Sequence, residues 1–159
     1  MTDLRKLAEA DVKPLAQLWH DGWMEAHLAH VPAELTAQRT LDSFAKRLIA
    51  YGDLIRVAGP LGDPLGFCVV RGDELDQLFV EPVARGTSVA RDLLADGEAR
   101  MRSTGVERAH LLCVIENVRA ARFYARQGWT DMGVINGTVA GANGGFSFPL
   151  LRFEKTLVS

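Results

Sequence analysis

Only two cysteines, Cys68 and Cys113, occur in the 159 residues, and both lie inside apolar runs. Two thiols build neither a disulfide scaffold nor a four-cysteine zinc site, so the expectation is a pair of buried thiols in a reducing compartment. Excess positive charge is also missing. Eighteen Lys and Arg stand against twenty Asp and Glu, a net charge of −2. That argues against nucleic-acid binding, which runs on surplus cations. No apolar run is long enough to span a bilayer, so no membrane partner is expected. Met1-Thr2-Asp3 is not the basic start and apolar stretch of a signal peptide, so the expected location is cytoplasmic. There is no internal repeat and no low-complexity tract. Converging histidine ligands are not evident, and no metal is expected.

What is present suits one core. A chain of 17.4 kDa buries roughly 69% of its extended surface on folding, enough for a single domain over residues 1–159. Hydrophobic residues make up 48% and charged residues 24%, which excludes global disorder.

Leu4 to Leu7 reads as a short strand. Asp11 reads as an N-cap, with Pro14 in the first turn that follows. Val12, Leu15, Ala16, Trp19 and Trp23 then share one helical face. A second helix is expected from Ala33 to Ala50, its stripe marked by Leu41, Phe44, Ala45 and Leu48. Leu54–Ala58, Leu65–Val70 and Glu74–Val80 read as strands joined by Gly-rich turns, hence antiparallel hairpins. Pro82 ends the third. A helix opens around Arg85–Ala90 and continues to Arg102, with Gly105 just past its end. Ala109–Ile115 is almost wholly apolar, as suits a strand covered on both faces, so this region forms a βαβ unit. Asn117 caps a further helix ending at Gln127-Gly128. Strands near Trp129–Ile135 and Phe148–Leu157 follow, joined by the glycine-rich linker Asn136–Gly145, which reads as a mobile hairpin loop. The order β-α-α-β-β-β-α-β-α-β-β predicts a mixed α/β fold, with helices on both faces of the sheet and one parallel crossover in its middle.

The chemistry starts where the third strand meets the next helix. Amides at a helix start lack intrahelical acceptors and carry partial positive charge, which makes them an anion site. Gly86 lets backbone approach a ligand, Ala90 keeps the first turn thin, and Arg85 adds charge. The stretch reads either as a pyrophosphate cradle or as a plain strand-to-helix turn with a capping Thr or Ser.

The residues Glu74-Leu75-Asp76-Gln77-Leu78-Phe79-Val80-Glu81-Pro82, then Arg85-Gly86-Thr87-Ser88-Val89-Ala90, resemble the central motif of the GNAT superfamily of N-acetyltransferases. That motif is a strand ending L-x-V-x-P followed by [Q/R]-x-x-G-x-[G/A]. Arg85 and Ala90 take its first and last places, and Ser88 stands where glycine is usual. Asn117, Ala120, Ala121, Phe123, Tyr124, Gly128 and Trp129 resemble the family's later motif, N-x-x-A-x-x-[FL]-Y-x-x-x-G-[FW]. Asn117 and Tyr124 are seven apart, which brings both to one helix face.

The resemblance implies a GNAT-like, mostly antiparallel sheet with a central splayed parallel pair, Glu74–Val80 beside Ala109–Ile115. Acetyl-CoA would lie in the splay as co-substrate. Its pantetheine would pair with Leu78 and Val80, and a backbone N–H near Leu78 or Phe79 would polarise the thioester. Its pyrophosphate would lie on the amides of Arg85, Gly86, Thr87, Ser88, Val89 and Ala90. Asn117, Ala121 and Tyr124 complete the expected cofactor contacts. Tyr124 is the expected donor to sulfur, or else a packing residue. The base is Glu74 first, with Asp76, Glu116 or a water chain as alternatives, since a carboxylate between apolar walls has a raised pKa.

An amine acceptor, small molecule or peptide, would bind near Trp23, His27, His30 and Phe146, while Trp19 and Trp23 also read as core. His110 reads as a hydrogen-bonded core residue. A homodimer is suspected from what is common in such enzymes. The competing readings are a non-catalytic acyl-CoA-binding module and a nucleotide-binding enzyme. The second lacks Gly-Lys-Ser/Thr and a paired acidic site for magnesium.

Overall fold

In the computed structural model, which describes residues 2–141 and 144–158, the first helix, α1 (Glu9–His27), begins before Asp11 rather than at it. Asp11 is fully buried in the first turn. Its carboxylate accepts from the N–H groups of Ala8 (2.9 Å) and Gly62 (3.0 Å) and pairs with the Arg5 guanidinium at 2.6 Å. It therefore ties the helix start to a distant loop, which a simple cap would not do. Pro14 consequently lies beyond the first turn.

The helix expected over Ala33–Ala50 is two helices, α2 (Ala33–Gln38) and α3 (Leu41–Tyr51). Thr40 starts the second, its hydroxyl accepting from the Ser43 N–H at 3.1 Å.

The strands are β1 (Leu4–Arg5), β2 (Ile55–Ala58), β3 (Gly66–Arg71), β4 (Glu74–Val80), β5 (Arg108–Cys113), β6 (Thr130–Gly141) and β7 (Gly144–Thr156). Helices α4 (Val89–Ser103) and α5 (Val118–Arg126) flank β5 in sequence. Sheet order is β1-β2-β3-β4-β5-β7-β6. Every neighbouring pair is antiparallel except β4 and β5, so the fold is the mixed one the sequence predicts.

The core lies in two clusters. Trp19, Phe44, Leu48, Ile55 and Phe67 bind α1 and α3 to the sheet. Leu93, Met101, Leu111, Tyr124 and Phe153 bind α4 and α5. Each fully buried side chain of this size contributes roughly 1.5–3 kcal/mol. On α4, Gly97 makes the close contact: a Cβ there would meet Cys68 Sγ and Val70 Cγ1 at 3.2 Å.

Apart from its middle, the linker expected over Asn136–Gly145 is strand rather than loop. β6 continues to Gly141 and β7 starts at Gly144; Ala142 and Asn143 lie outside the described residues. Gly137 faces Phe148 across the ladder, and a Cβ on it would stand 2.5 Å from Leu150 Cδ1. Glycine at this position makes room for a neighbour rather than supplying a turn.

Candidate active site

The parallel pair is joined at one register position, Glu74 opposite His110, with the His110 N–H donating to the Asp73 carbonyl at 2.9 Å. Beyond it the strands part. On its other side β4 stays paired with β3 to its end, and the Glu81 N–H donates to the Leu65 carbonyl. Antiparallel ladders alternate bonded and non-bonded pairs. Phe67–Phe79 and Val69–Gln77 are therefore bonded pairs in step with Leu65–Glu81. Leu78 and Val80 then turn their N–H and C=O groups away from β3, toward the gap. Asp76 has no register partner, because Val69 and Val70 face Gln77 and Leu75; this bulge bends β4 beside the split. A cavity of about 660 Å³ fills the gap and is lined from both faces of the sheet.

On the α4–α5 side the lining includes Arg85, Gly86, Ala90, Asn117, Ala120 and Tyr124. Gly86 has φ +77°, which glycine adopts without strain, and open space where a Cβ would be. The amides of Gly86, Ser88 and Ala90 have no acceptor among the described residues. Thr87 caps the turn: its hydroxyl donates to the Ala84 carbonyl and accepts from the Val89 N–H. Ser88, at the unusual position in the motif, turns its hydroxyl toward Thr2 Oγ at 3.3 Å, and its N–H stays open. An unpaired strand edge running to open helix-start amides suits an amide chain ending in a phosphate.

Arg85 is not free at this mouth. Glu25 of α1 accepts from it at 2.9 and 3.2 Å and from Arg119 at 3.1 Å, which holds the Glu25 carboxyl below its ordinary value. Tyr124 is buried and raised above its ordinary value, chiefly by burial, with Cys113 and Cys68 adding. Asn117 caps α5, its side-chain oxygen accepting from the Ala120 N–H.

On the α1–α3 side the wall includes Trp23, His27, Arg39, Arg47, Tyr51 and Asp76. His27 Nδ1–H donates to the Trp23 carbonyl at 3.0 Å, and the ring stacks on the Trp23 indole. Burial, the largest cause, lowers its pKa, so the imidazole is neutral and Nε2 keeps its lone pair. Glu74 stands at the apex of the split, 3.7 Å from His110 Nε2. Burial, then the neighbouring Asp76 charge, raises its carboxyl above the ordinary range. Asp76 pairs with Arg71 at 3.8 Å.

The cavity thus brings together Glu74, Asp76, Leu78, Phe79, Val80, Arg85, Gly86, Ala90, Asn117, Tyr124, Trp23 and His27 of the expected set. Thr87, Ser88, Val89 and Ala121 do not line it. His30 lines a separate hollow of about 240 Å³ with Glu116, 4.0 Å away, and Phe146 packs against the α1–α3 core. Glu25, Arg39, Arg47, Tyr51, Arg71 and Arg119 were not expected. The Thr40-x-x-Ser43 cap signal would have ended a helix at Arg39, but no short-range pattern places the others. Among the described residues no helix is long and apolar enough to cross a membrane, and no group of three His, Cys, Asp or Glu could hold a metal ion.

A family profile described as acetyltransferase (GNAT) family matches residues 9–129. No curated protein sequence matches the chain. Among solved structures, a GCN5-related N-acetyltransferase from Rhodopseudomonas palustris superposes with TM-score 0.74 at 23% identity, covering 98% of this chain and 96% of its own. PaiA N-acetyltransferase from Thermoplasma acidophilum, in complex with coenzyme A, gives 0.69 at 17%, covering 98% and 99%. YncA from Salmonella typhimurium, with its cofactor acetyl-CoA, gives 0.72 at 16%, covering 100% and 95%.

Proposed function

Because the chain belongs to the GNAT acetyltransferase family, we propose that it transfers an acetyl group from acetyl-CoA directly to a primary amine. The observation that carries this is the parallel pair joined at one position, opening a cavity onto the unpaired edge of β4. The fold it shares with structures holding coenzyme A and acetyl-CoA supports the same reading.

Bound in the gap, acetyl-CoA supplies an activated acyl group. Leu78 and Val80 hold the carrier as a strand would, and the open amides at Gly86, Ser88 and Ala90 meet its phosphates. An amine reaches the site as ammonium and has no lone pair until it loses a proton. Glu74, with its raised pKa and Asp76 beside it, takes that proton. Tyr124 keeps its proton and donates a hydrogen bond to the leaving sulfur. The walls of Trp23, Phe79 and Phe148 exclude water, which strengthens each of these polar contacts.

The test is calorimetry with coenzyme A, then thiol release from acetyl-CoA across an amine panel. Saturable binding and amine-dependent release are expected. No association with coenzyme A overturns the placement of the site. Association without release for any amine overturns the transferase reading in favour of a non-catalytic binding module.

A further inference from the structure

One carboxylate spans the end where the parallel strands part. Arg85 donates to Glu25 of α1 through Nη1 (3.2 Å) and Nη2 (2.9 Å), and Arg119 donates to it through Nη1 at 3.1 Å. Arg85 follows β4, and Arg119 stands in the first turn of α5, which follows β5. The two arginines therefore come from opposite sides of the split. Both line the cavity, beside Gly86, Ala90 and Asn117. Glu25 lines the adjoining hollow instead, with Arg119 and with His30 and Glu116, which pair with each other at 4.0 Å.

Glu25 thus takes the paired N–H edge of the Arg85 fork. A guanidinium offers that same edge to a carboxylate or to a phosphate, and one edge holds one of them. The amides of Gly86 and Ser88, which have no acceptor among the described residues, follow directly in the chain. A phosphate on those amides stands beside Arg85, and so beside Glu25, and the two anions repel. A diphosphate carries more charge and more acceptor oxygens than one carboxylate. The Glu25 side chain is 48% exposed, so on leaving the arginines it returns to water instead of becoming a stranded buried charge.

We propose that Arg85 and Arg119 together seat a phosphate of the acyl carrier, and that Glu25 is the anion this phosphate displaces. This rests on the cofactor placement proposed above. The exchange unties α1 from both sides of the split at once. The same turn of α1 carries Trp23 and His27 on the cavity wall, so arrival of the carrier's phosphate is felt at the acceptor end.

The test follows the Glu25 carboxyl of the native protein by NMR of carbon-13-labelled glutamate across acid pH. It compares the protein alone, with saturating pantetheine and with saturating coenzyme A. The Arg85 hydrogen bonds, against burial and with help from Arg119, hold this carboxyl below its ordinary value. Coenzyme A is expected to raise it to the ordinary value or above, and pantetheine, which has no phosphate, to leave it low. A carboxyl that stays low with coenzyme A bound overturns the proposal. Calorimetry on variants is a second readout. Glu25→Gln should bind coenzyme A about two- to twentyfold more tightly, the combined worth of two exposed ion pairs, with pantetheine affinity unchanged. Adding Arg119→Gln to that variant should weaken coenzyme A again by about two- to fivefold. Unchanged or weaker coenzyme A binding by Glu25→Gln overturns the proposal, as does an equal gain for pantetheine. Failure of the native protein to bind coenzyme A is a different result and strikes the transferase reading instead.

Discussion

Replacing Tyr124 by Phe takes one oxygen from the cavity wall and leaves the ring in place. The ring packs against Phe123, Trp129 and Phe153 with centroids 5.4, 6.3 and 6.0 Å away, and none of those contacts needs the hydroxyl. Among the described residues no hydrogen bond of its hydroxyl is found, so the deletion breaks none there. Folding stability should therefore change by less than about 1 kcal/mol. Catalysis should change more. Burial first, then Cys113 and Cys68, hold this hydroxyl above its ordinary 10.0, well above a thiol of about 8.5. Full proton transfer to a thiolate is uphill from such a group, so its contribution is a hydrogen bond to developing negative charge. That is worth about 1.5–3 kcal/mol, or roughly ten- to hundredfold in kcat. Thiol release under saturating acetyl-CoA measures it, beside coenzyme A affinity by calorimetry and a thermal melt. An unchanged kcat refutes the donor role. A loss of coenzyme A affinity matching the loss of kcat shows that Tyr124 only packs the cofactor.

Gly86→Glu should abolish coenzyme A binding in calorimetry, because a carboxylate would stand beside the open amides; Gly86→Ala should bind but cost about 1–2 kcal/mol in urea unfolding, since φ is +77° and nothing crowds the Cβ. Glu74→Gln should lower kcat/KM and remove its acid limb. Glu74 acts only when deprotonated, so in the unaltered protein activity should fall as pH drops through a value above the ordinary 4.5. Burial pushes the Asp11 carboxyl up, but Arg5 and the N–H groups of Gly62 and Ala8 outweigh it and hold it below its ordinary 3.8. Its stabilisation is thus complete above the unfolded value and lost as pH falls through the folded one. Thermal melts across acid pH should show that slope, and Asp11→Asn should flatten it. Glu98, buried against Lys155 Nζ (2.8 Å) and the Trp129 indole N–H (3.2 Å), joins α4 to β7; Glu98→Ala should cost about 3–5 kcal/mol in urea unfolding, and an unchanged midpoint would remove that role.

Local periodicity carried most of the fold. Leu93, Leu94 and Met101 bury one face of α4 as their spacing predicts, and the strand over Glu74–Val80 matches residue for residue. Two of the misreadings came from residues whose role is set at long range. Gly137 and Gly145 look like loop residues, yet they clear space for Leu150 and Thr138 across a ladder. Arg39 looks like surface helix until the Thr40 cap turns the chain and buries it. That Arg85, Gly86, Ala90 and Tyr124 come to one cavity was legible because they lie in contiguous motifs. Glu25, Arg47 and Arg119 were not, because each comes to the cavity or its mouth only through what a different element brings beside it.

The single rung between Glu74 and His110 makes the sheet two panels on a hinge. β1 to β4 form one panel and β5, β7 and β6 the other, with little backbone bonding to keep them in register. A ligand that lies along β4 therefore acts as mortar as well as reactant. Amide hydrogens near the hinge should exchange faster in the bare protein than those within either panel, and slow sharply when the seam is filled.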